Sequence, residues 1–306
     1  MPELEAQRLG SEALRLARRH VPGRDEPRLE LVGTGLARAT FRVERDGKRY
    51  AMRLERSAVR GGAHARWEAE LRAHAARAGF APTPLLYAAE DGVLVSTWVE
   101  GREFEAAAVG EPRGIDAVAA LMRRIHGLQV PPAPQQTGPG PWIESYERAL
   151  RAASPDRLHA TSALRAASLR ELERLAAAHG GRRTLCHSDL HPANLVETDG
   201  GLVVLDWEYA HIGDPLWDVA GWCCMNDFDF ARRATLLARY LGRLPEVDER
   251  QRFEALIWLY DYVCLLWSEV FLLETGGAAD PAIRERADRL AERLATGGSA
   301  ARVPAH

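Results

Sequence analysis

Two short apolar runs of β type, beginning at Leu185 and ending at Leu205, enclose a cluster of oxygen-bearing side chains around a four-residue turn, Thr198, Asp199, Gly200 and Gly201. Turn residues between two such runs specify an antiparallel hairpin, and a hairpin brings the chain back on itself so that Asp206 returns beside Asn194. An amide and a carboxylate held this way are hard oxygen ligands of the kind Mg2+ takes, with its remaining positions left to water and phosphate oxygens. Asp189 stands five residues before Asn194, outside the hairpin, where it can meet a substrate hydroxyl. His187 and His191 have the four-residue spacing of a zinc-binding helix. Ser188 occupies the place where that motif needs its glutamate, and the proline at 192 biases His191 away from helical dihedrals, so zinc is not the expected metal.

The rest of the chain sorts into two blocks. After a lead-in helix over residues 4–20, ended by Pro22 and Gly23, residues 29–99 read as strands. They comprise Leu31 and Val32, a Gly33-Thr34-Gly35 turn, Phe41 to Val43, an Asp46-Gly47 hairpin turn, residues 50–54, 85–88 and 93–99. One helical run, 62–78, interrupts them and is closed by Gly79. From residue 101 onward the periodicity is helical, over 115–128, 142–153, 163–178, 228–241, 249–274 and 281–294, with a proline-rich connection at 131–141 and a frayed tail after 295. Strands first and helices afterwards is an α+β arrangement. The expected domains are an N-terminal lobe over 1–101 and a C-terminal helical lobe over 102–306, with the catalytic segment in the second block facing the cleft.

Composition excludes several classes of function. At 306 residues, 46% hydrophobic and 27% charged, the chain is long enough for two lobes, and a formal charge of -3 argues against nucleic acid as a partner. Four cysteines without a C-x-x-C pair make no disulfide framework and fit a reducing cytoplasm. The first twenty residues are charged throughout and lack the apolar core of a signal peptide. The most apolar stretch, 255–273, contains Asp261 and Glu269, so a buried helix is expected there and not a membrane span.

His187, Asp189 and Asn194, followed by Asp206 at the end of a strand, resemble the catalytic and metal-binding segments of eukaryotic-like kinases. With the further run Asp206-Trp207-Glu208-Tyr209-Ala210 and Gly213-Asp214-Pro215-Leu216-Trp217-Asp218, the sequence is similar to the choline/ethanolamine kinase, thiamine kinase and aminoglycoside phosphotransferase group. That resemblance implies a bilobal protein-kinase-like fold. It also implies ATP as co-substrate, Mg2+ on Asn194 and Asp206, and Asp189 as the residue that orients the acceptor hydroxyl.

By the same resemblance Arg53 is the strand cation that holds ATP phosphates, Glu68 its helical carboxylate partner, Gly33 and Gly35 the cover over the phosphates, and 96–99, with Ser96 and Trp98, the adenine hinge. Arg38 stands where the family carries a third glycine. A G-x-G followed by a strand is not a dinucleotide fingerprint, and no Gly-Lys-Ser/Thr completes a P-loop. Glu208 lies two residues beyond Asp206 on the same side of an extended segment, placed for metal-bound water or a cationic substrate. Trp258, Tyr260, Tyr262 and Trp267 share one helix, and Trp267 is the expected cation-π face for a quaternary ammonium or thiazolium acceptor. Choline kinases often carry two tryptophans three apart here, whereas this chain has Cys264 in the first place. Asp218 is read as a structural residue that caps a helix and steadies the catalytic loop. The expected function is therefore phosphoryl transfer from ATP to a small cationic alcohol, with an aminoglycoside acceptor, or a nucleotide-binding pseudokinase scaffold, as the alternatives.

Overall fold

A computed structural model describes residues 3–34, 38–55, 63–130, 138–156, 161–177, 183–275 and 281–296. The chain divides into two compact units, one formed by residues 1–104 with 192–208 and the other by 105–191 with 209–306.

The first unit is built on a five-stranded antiparallel sheet of order β1-β2-β3-β5-β4. Its strands are β1 (Arg28–Thr34), β2 (Arg38–Arg45), β3 (Lys48–Glu55), β4 (Pro84–Ala88) and β5 (Val93–Thr97). Asp46 and Gly47 make the β2–β3 turn with φ of +50° and +68°, the left-handed pair that a two-residue hairpin demands. Helix α1 (Glu3–His20) lays Leu9, Ala13, Leu16 and Ala17 into one core with Phe41, Val43, Tyr50 and Met52. Each fully buried leucine contributes about 1.5–3 kcal/mol to that seam. Because β3 alternates with period two, Tyr50, Met52 and Leu54 serve this core while Arg53 points to the opposite face. Helix α2 (Ala63–Arg77) follows, ended at Gly79 with φ +82°.

A second sheet, β6-β8-β9, joins this unit from two distant parts of the chain. Strand β6 (Arg102–Glu103) pairs with β8 (Leu195–Thr198), which forms the expected hairpin with β9 (Gly201–Val204). Gly101 makes the approach possible, since a Cβ there would stand 2.3 Å from the Glu197 carbonyl oxygen. This pairing is why residues 192–208 group with the N-terminal block, an arrangement that a single cut after residue 101 does not contain.

The second unit is helical: α3 (Pro112–His126), α4 (Pro139–Ala153), α5 (Ser162–Ala177), α6 (Leu216–Met225), α7 (Phe230–Leu241), α8 (Val247–Glu274) and α9 (Pro281–Ala295). A two-stranded ladder, β7 (Thr184–Cys186) with β10 (His211–Gly213), carries the chain into and out of the catalytic segment. Helix α8 is the one helix among the described residues that is long and apolar enough to cross a membrane, yet it packs against α4, α5, α6 and α9. Its buried Asp261 receives a 2.6 Å hydrogen bond from Arg293 of α9. Helix α6 corrects the capping role expected of Asp218. The helix begins at Leu216, the Asp214 carboxylate accepts the Leu216 N–H at 3.0 Å, and Asp218 sits inside the first turn with its side chain turned elsewhere.

Candidate active site

In the first unit the geometry centres on Asp206. The hairpin holds its base through the Leu205 N–H, which donates to the Asn194 carbonyl at 2.8 Å. Trp207, 1% exposed, stacks on Phe80, and the Val204 N–H donates to the Phe80 carbonyl at 2.9 Å. Between these anchors Asp206 adopts φ +52°, a left-handed conformation that L-residues rarely take and that costs about 1–3 kcal/mol. Arg53, buried on β3, donates to Asp206 Oδ1 at 2.9 Å, and the Arg72 guanidinium of α2 lies 3.9 Å from the same oxygen. A third of the Asp206 side chain remains exposed. One carboxylate oxygen held by arginine, with the half-buried Asn194 amide in the turn that leads into the hairpin, is a donor set of hard oxygens that fits Mg2+.

In the second unit the geometry centres on Asp218, which is almost wholly buried. Its carboxylate accepts the backbone N–H of His187 at 2.8 Å and of Ser188 at 2.7 Å. His126 Nε2 lies 3.0 Å from the same carboxylate, and His126 Nδ1 lies 2.9 Å from the Tyr240 hydroxyl. Burial works against the ionised carboxyl, but the hydrogen bond and charge of His126, with the His187 N–H, outweigh it and hold Asp218 below the usual aspartate value. The chain it grips leads directly to Asp189, which is half-buried and whose carboxylate lies 3.8 Å from His191 Nε2. Ser188 is itself left-handed, at φ +71°. His126, Cys186 and Asp218 bring three metal-ligating atoms within 4.8 Å of one another. All three side chains are already engaged: burial drives the Cys186 thiol well above its ordinary pKa and its sulfur donates to the Asp214 carbonyl, while His126 and Asp218 hold each other.

Residues 28–256 match the model of the phosphotransferase enzyme family. The chain belongs to that family. Among curated relatives it is 23% identical over 173 residues to probable choline kinase 2 of Arabidopsis thaliana, covering 56% of this chain and 49% of that one. The chain spans about half or less of the length of the curated relatives it matches. The fold is shared with a choline/ethanolamine kinase family protein from Mesorhizobium loti, at TM-score 0.72 and 24% identity with 94% of each chain covered. It is also shared with a thermostable mutant of aminoglycoside phosphotransferase APH(4)-Ia solved with AMP-PNP and hygromycin B, at TM-score 0.64 and 19% identity, covering 95% of this chain and all of that one. The α+β kinase-like fold is therefore shown from the family down to these neighbours.

The remaining candidates of this phosphotransferase fall as follows. Gly33 lies in β1, where an added Cβ would meet nothing within 4 Å; Gly35 and the side chains of Arg38 and Glu68 lie outside the described residues, as do residues 131–137 and the tail after 296. Ser96 is buried in β5 opposite Ala51. The Trp98 N–H donates to the Arg49 carbonyl at 3.3 Å and the Thr97 N–H to the Thr83 carbonyl at 2.9 Å, so these two donors of the expected hinge are already engaged within the first unit. Glu208 is half-buried in the first unit; Trp267 is half-buried on α8 in the second, with its ring 5.2 Å from Phe271. Sequence reasoning missed Arg72, His126 and His211. Arg72 lies one helical turn beyond Glu68, a spacing that was there to read. His126 and His211 carry no local signal, since their partners lie 92 and 23 residues away.

Proposed function

We propose that this phosphotransferase moves the γ-phosphoryl group of ATP to the hydroxyl of a small cationic metabolite of the choline, ethanolamine or thiamine type. One observation carries the reading: Asp206, at the end of a hairpin that Asn194 begins, accepts a hydrogen bond from the buried Arg53, and Asp189, five residues before Asn194 in the chain, follows a loop tied to Asp218. Arg53 would hold phosphate oxygens through paired hydrogen bonds, and its permanent charge keeps that role at any physiological pH. Asn194 and Asp206 would hold Mg2+, which when bound offsets the charge on the phosphates. Asp189 would align the acceptor hydroxyl and take its proton late, since a carboxylate is too weak a base to ionise an alcohol beforehand. The four free thiols, three of them buried, support a reducing cytoplasm as the site of action.

The acceptor class rests on the choline-kinase relatives and on the half-buried Trp267 face. A second reading, an aminoglycoside acceptor, is favoured by the likeness to APH(4)-Ia. Incubation with MgATP and, separately, choline, ethanolamine, thiamine and hygromycin B, read by phosphorus NMR, separates the two. Phosphocholine, phosphoethanolamine or thiamine phosphate is the expected product; phosphorylated hygromycin with none of these would overturn the acceptor class. Absence of any transfer alongside tight nucleotide binding would point to the pseudokinase alternative.

A further inference from the structure

We propose that Ser188 and His211 form a positioning pair that fixes the backbone preceding Asp189. The proposal rests on the assignment of Asp189 to the acceptor hydroxyl. Ser188 adopts φ +71°, where a Cβ costs about 1–2 kcal/mol relative to the right-handed region. Three separate elements hold it there. Its N–H donates to Asp218 Oδ1 of α6 at 2.7 Å, its carbonyl accepts the Tyr260 hydroxyl of α8 at 3.2 Å, and its Oγ lies 2.7 Å from His211 Nδ1 of β10. Glycine would take this conformation without strain, but would leave the residue only its two backbone tethers. The serine hydroxyl adds the third, and with all three made the direction in which the next side chain leaves the loop is determined.

His211 is built to receive that hydroxyl. It is 1% exposed, and its strand pairs with β7, so that His211 stands opposite Cys186 at the entrance to the loop. Two glycines make room for the ring: a Cβ on Gly213 would stand 2.3 Å from Nε2, and one on Gly138 3.4 Å from Cδ2. The Trp142 ring closes the remaining side edge-on at 4.9 Å. Burial, opposed by Asp218, lowers the His211 pKa to about 4, so the imidazole is neutral at working pH. A buried ring packed against these neighbours is not free to follow the loop, so the loop follows the ring.

A merely stabilising hydrogen bond would lower folding stability and leave the surviving enzyme's rate intact. A positioning bond lowers kcat in folded enzyme, because a misplacement of the order of 1 Å can cost about a hundredfold. The test uses the full chain with MgATP and choline, on wild type, Ser188→Ala, His211→Leu, the double variant and His211→Asn, whose amide overlies the Nδ1 position. Expected are a fall in kcat of about ten- to a hundredfold in each single variant with the ATP KM within about twofold, no further loss in the double variant, and recovery of most of the rate in His211→Asn. Amide exchange over residues 185–191 should accelerate at least about tenfold in Ser188→Ala while α6 and α8 keep wild-type protection. Wild-type kcat in folded Ser188→Ala, or losses that multiply in the double variant, would overturn the pair. Should His211→Leu fail to fold, Ser188→Ala, which deletes one oxygen, decides the matter. If wild type does not phosphorylate choline, the acceptor assignment fails on its own, and the exchange measurement decides for or against the pair.

Discussion

The two units hold their aspartates by opposite means. Asp206 is one-third exposed and faces two arginines, a charge arrangement whose partners solvent and ligand can compete for. Asp218 is buried and spends its carboxylate on two backbone N–H groups and a histidine that is itself anchored on Tyr240. A partly exposed ion pair contributes at most about 1 kcal/mol, whereas removing one partner of a buried one costs about 3–5 kcal/mol. The proposed function asks the first to exchange partners as nucleotide comes and goes, and the second to keep one conformation. Charge suits binding; buried hydrogen bonds suit aim.

The sharpest way to break this contrast is Asp189→Ala. If the pinned loop exists only to aim that carboxylate, transfer should fall at least about a thousandfold while ADP binding by calorimetry and the melting temperature stay at wild-type values. Near-wild-type transfer would sink the mechanism.

The next effect in size concerns acid. Folded His211 titrates at about 4, below its unfolded value near 6.5, so between these pH values the unfolded chain binds a proton that the folded chain refuses. Its contribution to stability is present above pH 6.5 and is lost as pH falls toward 4, amounting to about 3 kcal/mol. Burial is the first cause; the Asp218 charge opposes it and Arg183 adds to it. Asp218, whose pKa is depressed, supports the fold above about 3.9 and gives way only as pH drops through its lower folded value. Urea midpoints at pH 7 and pH 4.5 should therefore separate widely in wild type and much less in His211→Asn. Equal separations would mean that the histidine is not held neutral.

Asp206→Ala and Arg53→Ala test the exchangeable half. Both should weaken nucleotide binding, by up to about a hundredfold, but with different magnesium dependence. Raising magnesium should not rescue Arg53→Ala, whose metal ligands are intact, and the Mg2+ dependence itself should vanish in Asp206→Ala. Identical behaviour of the two would place them in one structural role.

Legibility in the sequence follows the same division. The strands and the hairpin 195–204 declare themselves through period-two alternation and turn residues at fixed spacing, and the α2 run through the glycine that ends it, and so Asp206 beside Asn194 could be anticipated. Two things carry no local signal. Strand β6 has two residues, too few for any period, although it decides to which unit the hairpin belongs. The Asp218 network joins residues from the ends of α3 and α7 to the start of α6, and each of its members looks locally like an ordinary helix-terminal residue. Asp218 invites the reading of an N-cap because aspartates commonly cap; its other expected role, steadying the loop before Asp189, came from the family resemblance alone and is what the N–H groups of His187 and Ser188, thirty-one and thirty positions away, bear out.

The smallest expected effect asks whether the second unit also supplies an exchangeable surface. Within α8, Tyr260 and Tyr262 are buried and engaged, Tyr260 with the Ser188 carbonyl and Tyr262 with Glu147 Oε1, so neither has a hydroxyl to spare for an acceptor. Trp258 is half-buried but stacks on Tyr262, at 5.5 Å. Trp267 is half-buried and tilted against Phe271, with part of its surface left to solvent. A cation-π contact in a desolvated pocket contributes about 2 kcal/mol, so Trp267→Leu should raise the acceptor KM by more than about tenfold with ATP kinetics unchanged. A tryptophan that serves only packing would instead lower the melting temperature and the yield of active enzyme while the surviving molecules keep their constants. Measuring both on one preparation separates the two, because leucine retains most of the apolar contact with Phe271 and removes the π face. An unchanged acceptor KM together with a lowered melting point would return Trp267 to the core and confine exchangeable contacts to the half built on Asp206.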